Sequence, residues 1–158
     1  MTYRLGLRSR LELRGVHPQL CAVVQLAIRE TEQDFRVHDG LRTINEQSEL
    51  VLAGASQTMA SQHLRQADGY GHAVDLVPIV NGRLRWEWPP IYRIAAAMHF
   101  AATRLGVPLV WGAVWDRSFL DLSVAALPME VEHYTDRRRR QGKKAFLDGP
   151  HYQLGVPA

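Results

Sequence analysis

The chain has 158 residues, 46% of them hydrophobic and 22% charged, and carries a net charge of +3. That length predicts one domain spanning 1–158 with room for a sizeable core, and the ordinary globular composition excludes wholesale disorder and fibrous repeats. The lone cysteine, Cys21, excludes an internal disulfide and a thiolate-built zinc cage, so any metal site must be assembled from His and carboxylates. The apolar stretches are short. The longest, Ile94–Ala102, contains His99 and falls well below the roughly 20 residues that cross a bilayer, so no membrane insertion is expected. The opening MTYRLGLRSRLELRG alternates Arg with Leu and lacks an apolar core followed by a cleavage site, so it does not read as a secretory signal and a cytoplasmic start is expected. The basic balance favours an anionic partner: nucleic acid, a membrane surface or an acidic polymer.

In chain order, His17-Pro18 opens a helix, since Pro is pre-set for the first helical turn. Leu20, Val23, Val24, Ala27 and Ile28 recur at three and four along it. Polar Glu30–Asp34 ends this helix, Phe35–His38 alternates as a short strand, and Asp39-Gly40 is a turn. A second helix is predicted at about Ile44–Leu52, ended by Gly54, and the Ser-, Gln-, Gly- and Ala-rich stretch 55–71 reads as a long loop. His72–Ile79 alternates as a strand. Asn81-Gly82 is a hairpin signal, with Leu84 and Trp86 continuing beyond it. Pro89-Pro90 opens a third helix whose face carries Ile91, Ile94, Ala95, Met98, Ala101, Ala102 and Leu105, with Gly106 as its stop. Val107–Trp111 reads as a strand, 112–147 as irregular, and Tyr152–Leu154 as a last strand. The class is α+β: a small antiparallel sheet with packed helices.

Polar clusters fall at the ends of these elements, where function usually resides. They are Gly40-Leu-Arg42-Thr with Glu46-Gln47, Ser61-Gln-His63, Gly71-His72-Ala-Val-Asp75 and Asp148-Gly-Pro-His151. Asp75 interrupts an apolar strand, and a carboxylate on a buried face is costly unless it is paired or bound to metal. With His63 and His151 it supplies two imidazoles and a carboxylate, the three-ligand set of a catalytic zinc that keeps a fourth position open.

Together these residues resemble a known family. Ser61-x-His63 followed by Gly71-x-Ala73-x-Asp75-Leu is similar to the first signature of the zinc D-Ala-D-Ala carboxypeptidase and L-alanyl-D-glutamate peptidase family, phage endolysins included. Asp148-x-Pro150-His151-Tyr-Gln-Leu resembles its second motif, and Gly40-Leu-Arg42-Thr with Glu46-Gln47 its substrate-binding segment. The resemblance implies a D,D-peptidase/hedgehog-like fold with the zinc site at the sheet. His63, Asp75 and His151 would be the zinc ligands and Asp148 the general base. Arg42 would act on the oxyanion or a substrate carboxylate, and Gln47 and Ser61 would contact the peptide. It further implies cleavage of peptidoglycan stem peptides, at the L-Ala–D-Glu bond, by a monomeric endolysin. Such an enzyme would wait in the host cytoplasm for a separate membrane-permeabilising protein and reach the wall on lysis. A D-Ala-D-Ala carboxypeptidase or dipeptidase is the runner-up, and a basic binding module with structural zinc the alternative of another class.

Two points separate the chain from the family pattern. Eleven residues lie between His63 and Asp75, more than in shorter members, which leaves His72 as an alternative ligand. Glu130-x-x-His133 repeats the spacing of Asp148-x-x-His151; the latter is preferred because it leads into an apolar strand, whereas the Glu130 segment reads as solvated. Arg42 has a structural alternative as an ion pair with Asp39 or Glu46. Arg137–Arg140 with Lys143 and Lys144 reads as a solvated, mobile loop or an attractor for anionic wall polymers. No fingerprint of specific nucleic-acid recognition accompanies it. Trp111 or Trp115 is expected to border the site.

Overall fold

The computed structural model describes residues 2–158. Five helices and five strands run in the order α1 (Leu7–Glu12), α2 (Pro18–Glu30), β1 (Phe35–Asp39), α3 (Ile44–Leu52), β2 (Ala73–Val80), β3 (Arg83–Leu84), α4 (Trp88–Leu105), β4 (Leu109–Trp111), α5 (Leu127–Arg140) and β5 (His151–Leu154). Short 3-10 turns at Phe119–Asp121 and Val124–Ala126 precede α5. The sheet is antiparallel throughout, with order β1-β2-β5-β4 and β3 folded back on β2. The α+β class expected from the sequence is the observed one.

Each element has a local cause. His17 caps α2, its ring nitrogen accepting from the Gln19 amide at 3.1 Å, and Thr43 does the same for α3 from the Glu46 amide. Asn81 and Gly82 both take positive φ (52° and 74°), the geometry that a two-residue hairpin between β2 and β3 requires. Gly106, at φ 67°, ends α4 in the left-handed cap anticipated for it.

The apolar stripes of α2 and α4 pack on one face of the sheet. Leu20, Val23, Val24, Ala27 and Ile28 meet Ile94, Ala95, Met98 and Ala101 over Val37, Val74 and Leu76. Leu105 leaves this stripe and is 45% exposed, because α4 has run past the edge of the core in its final turn.

Two parts of the sequence reading are corrected. Residues 112–147 are not irregular, since Leu127–Arg140 is a helix of 14 residues whose Leu127, Val131 and Tyr134 are buried. The arginines 137–140 are the last turns of that helix, not a loop, and cations at a helix C-terminus complement its dipole. The Glu130 segment is not solvated either. Glu130 is buried, accepting from the Ser123 amide at 2.8 Å and from Arg117 at 3.2 Å. The short helix α1 near the N-terminus went unread; its Ser9 hydroxyl accepts from the Val37 amide and ties it to β1.

Candidate metal centre and active-site cleft

Register places the site. β2 lies between β1 and β5, and Asp75 sits directly opposite His151 on one side and Asp39 on the other. The second pairing follows from a bulge between Val37 and Asp39, which swings Asp39 and the Gly40 turn toward the site. His63 arrives from the loop between α3 and β2. That loop is pinned by bonds from the Arg42 amide to the His63 carbonyl and from the His72 amide to the Gln62 carbonyl. The extra residues 64–70 turn at Gly69 and return to Gly71, which bonds Gly15, so the longer spacing is looped out without displacing His63.

Asp75, His63 and His151 bring one ligand atom each to within 4.8 Å of one another. His63 Nε2 stands 3.3 Å from Asp75 Oδ1, His151 Nδ1 stands 3.2 Å from the same oxygen, and the two nitrogens are 3.2 Å apart. The outward nitrogens decide the tautomers. His63 Nδ1 meets the Gly40 carbonyl at 2.8 Å, which can only accept, so the proton resides there and Nε2 faces inward with its lone pair. His151 Nε2 meets Gln153 Oε1 at 2.9 Å and donates to it, leaving Nδ1 inward. Two imidazole lone pairs and a carboxylate oxygen thus converge with no hydrogen left to place between them in the neutral forms. A metal cation is the partner this donor set fits. Burial opposes charge on His151, but its bond to Asp75 and the charges of Asp75 and Asp148 raise its pKa above the ordinary imidazole value. Burial likewise opposes the charge on Asp75, yet His63 and His151 hold its carboxyl far below the usual range.

Around the centre opens a cleft of about 810 Å³, lined among others by Arg42, Ser61, Trp86, Trp115 and Asp148. Asp148 is half-buried on this wall. Burial, and next the negative charge of Asp75, raise its pKa to about 6. Its backbone is locked, the amide donating to the Gly112 carbonyl (2.8 Å) and the carbonyl accepting from the His151 amide (3.0 Å). Gly112 has no room for a side chain, since a Cβ there would lie 2.2 Å from the Asp148 carbonyl oxygen and 2.9 Å from His151 Cβ. Gly40 is equally constrained, since a Cβ there would run into the Glu12 carbonyl oxygen.

Arg42 is 8% exposed. Its Nε donates to Asp39 Oδ2 at 2.8 Å, its Nη2 donates to the same oxygen and lies 3.5 Å from Asp75 Oδ2, and its Nη1 donates to Gln47 Oε1 at 2.6 Å. The ion pair with Asp39 therefore forms, but inside the site, where the guanidinium bridges two carboxylates that the sheet sets face to face. Gln47 is corrected from a substrate contact to a support. It is fully buried, and its amide nitrogen is engaged by Ser56 Oγ and the Thr58 carbonyl. Ser61 lines the cleft, its hydroxyl accepting from the His63 amide at 3.1 Å. His72 turns away to Asp68 at 2.7 Å, and His133 is exposed on α5, so neither joins the cluster. Trp115 borders the site, with its ring centroid 5.1 Å from that of His151, while Trp111 is core and reaches only the Gly149 carbonyl.

The sequence reading missed Gln153, Gly40 and Gly112 as supports. For Gln153 a signal existed: two residues after His151 on a strand, its side chain must share that face. Nothing in the spacing pointed to Gly112.

With this geometry in place, the relatives can be compared. A model of the phage L-alanyl-D-glutamate peptidase family matches residues 1–155. The chain belongs to that family. One relative, the L-alanyl-D-glutamate peptidase of Escherichia phage T5, is 28% identical over 122 residues, which cover 75% of this chain and 85% of the phage protein. A solved relative, the Serratia marcescens L-Ala D-Glu endopeptidase ChiX, superposes with a TM-score of 0.70 at 36% identity, covering 98% of this chain and 91% of ChiX. Membership accords with the α+β sheet and with a His-Asp-His cluster at its centre.

Proposed function

We propose that this protein is a zinc peptidase that hydrolyses peptidoglycan stem peptides at the L-Ala–D-Glu bond, a phage-type endolysin. The observation that carries the reading is the convergence of His63 Nε2, His151 Nδ1 and Asp75 Oδ1 on one point beside the cleft, with both tautomers set for ligation. Those three atoms would hold the ion. When bound, zinc supplies Lewis acidity toward the scissile carbonyl and toward water.

The remaining chemistry belongs to the chain. Asp148, with its pKa raised to about 6, is ionised at neutral pH yet basic enough to take a proton from the attacking water and return it to the leaving D-Glu amine. Arg42 bridges Asp75 and Asp39. Its second Nη1 hydrogen, unclaimed by Gln47, is the donor available to the developing oxyanion. Trp115 and Trp86 line the cleft and offer apolar surface to a bound peptide. Access to the wall would follow opening of the host membrane by a separate permeabilising protein.

The test is digestion of purified peptidoglycan with and without chelator, with new termini read by mass spectrometry. Free L-Ala carboxyl ends that vanish with chelator are expected. Release of D-Ala instead would move the assignment to a carboxypeptidase, and intact peptidoglycan under zinc would contradict a peptidase altogether.

A further inference from the structure

The four arginines that end α5 are not equivalent. Arg137 is paired with Asp116 through Nε and Nη2 at 2.7 and 2.8 Å, and Arg139 reaches Asp136 at 3.2 Å. Arg140 is exposed. Arg138 is different: it is half-buried, it lines the same cleft as the His-Asp-His cluster, and it has no carboxylate partner among the described residues. Its Nε is shut off from solvent and makes no hydrogen bond. A buried guanidinium donor without an acceptor is costly, and no carboxylate among the described residues offsets the charge that Arg138 brings to the cleft, which suits it to an incoming anion. Lys144, from the segment after the helix, and Tyr134 line the same cleft. The lining of the cleft thus includes two cations, Arg138 and Lys144, besides Arg42 and the carboxylates Asp148, Asp75 and Asp39.

We propose that Arg138, assisted by Lys144, is a specificity determinant that binds the free carboxylate of the substrate's D-Glu residue. This rests on the peptidase reading above. D-Glu is a dicarboxylic amino acid, so whichever carboxyl continues the peptide, the other remains as an anion unless it is amidated. A bidentate guanidinium recognises that group by shape and charge together. Held by Arg138, that carboxylate orients the peptide with its scissile bond toward the cluster. Arg138 touches substrate without reaching the reacting atoms, so its contribution falls on KM more than on kcat.

The experiment uses two stem peptides that differ only at D-Glu, one with the free carboxylate and one with the carboxamide. Initial rates are measured for the zinc-loaded wild type and for R138Q, R138K and R139Q. Wild type is expected to favour the acid by roughly tenfold to a hundredfold in kcat/KM, the range for a charge-assisted hydrogen bond in a desolvated site. R138Q loses that preference by raising KM for the acid alone, R138K recovers part of it, and R139Q matches wild type. Binding of the acid peptide to the metal-free protein in chelator, followed by calorimetry, should weaken in R138Q by a similar factor. Equal rates of wild type on both peptides would overturn the proposal, as would R138Q slowing both alike, and the peptidase reading would survive either result. Failure of zinc-loaded wild type to cleave either peptide would overturn both.

Discussion

At the scale of single residues, the centre depends on which ring nitrogen each histidine offers, and that choice is made by neighbours that never touch the ion. The Gly40 carbonyl and Gln153 Oε1 take the outward protons of His63 and His151. Gln153→Leu frees the His151 ring to flip tautomer, and we expect zinc affinity to fall by about 10–100-fold, read by competition with a chelator. Asp148 gives the pH dependence. If Asp148 is the proposed general base, its pKa of about 6 predicts that activity is lost as pH falls through that value. The stability sign is the reverse. A carboxyl whose folded pKa exceeds its unfolded one stabilises the fold at low pH, and that contribution is lost as pH rises from about 4 through 6. Metal-free D148N should therefore be more stable than metal-free wild type at pH 8, by about 1–2 kcal/mol after discounting partial exposure. The two should converge below pH 4 in denaturant titrations, and D148N should retain zinc while losing turnover.

At the scale of elements, the site is a product of strand register. The pairing of Asp75 with His151 puts two of the proposed ligands side by side, the bulge in β1 brings Asp39 and Arg42 to them, and Gly112 in the turn after β4 lets the Asp148–His151 segment close in. Gly112→Ala forces backbone apart at that contact. We expect it to cost about 1–3 kcal/mol in a melt and to weaken zinc binding together with activity. Much of this was legible beforehand. The strand around Asp75, the Pro starts of α2 and α4, the Gly stop of α4 and the Asn81-Gly82 turn are strong local signals, and each stands where it was read, although both faces of the strand prove buried. Helix α5 was not legible because Leu127, Val131 and Tyr134 form a thin apolar stripe that four consecutive arginines obscure. Gln47 was misplaced for a different reason: spacing puts it near Arg42 but cannot say which of the two faces the cleft. Gly112 needed three dimensions, since its role is an approach between segments far apart in sequence.

At the scale of the molecule, the helices on one face of the sheet form a core independent of the metal. Leu20 and Met98, both fully buried, lie in it between α2 and α4. Leu20→Ala should cost about 2–5 kcal/mol and lower the melting temperature without changing zinc stoichiometry, which separates scaffold from site. Ion binding should in turn stabilise the whole fold by mass action, about 2.7 kcal/mol at a hundredfold excess over Kd. The basic charge that composition assigned to the chain as a whole is organised by α5, where two arginines are spent in ion pairs and Arg138 is turned to the cleft.

The central claim is the identity of the three ligands, and the most direct measurement is zinc per chain after exhaustive dialysis, by atomic emission, in wild type and in four single histidine variants. One ion per chain is expected in wild type, H72A and H133A, with loss of it in H63A and H151A. Zinc retained by H151A while H133A or H72A comes out empty would contradict the account.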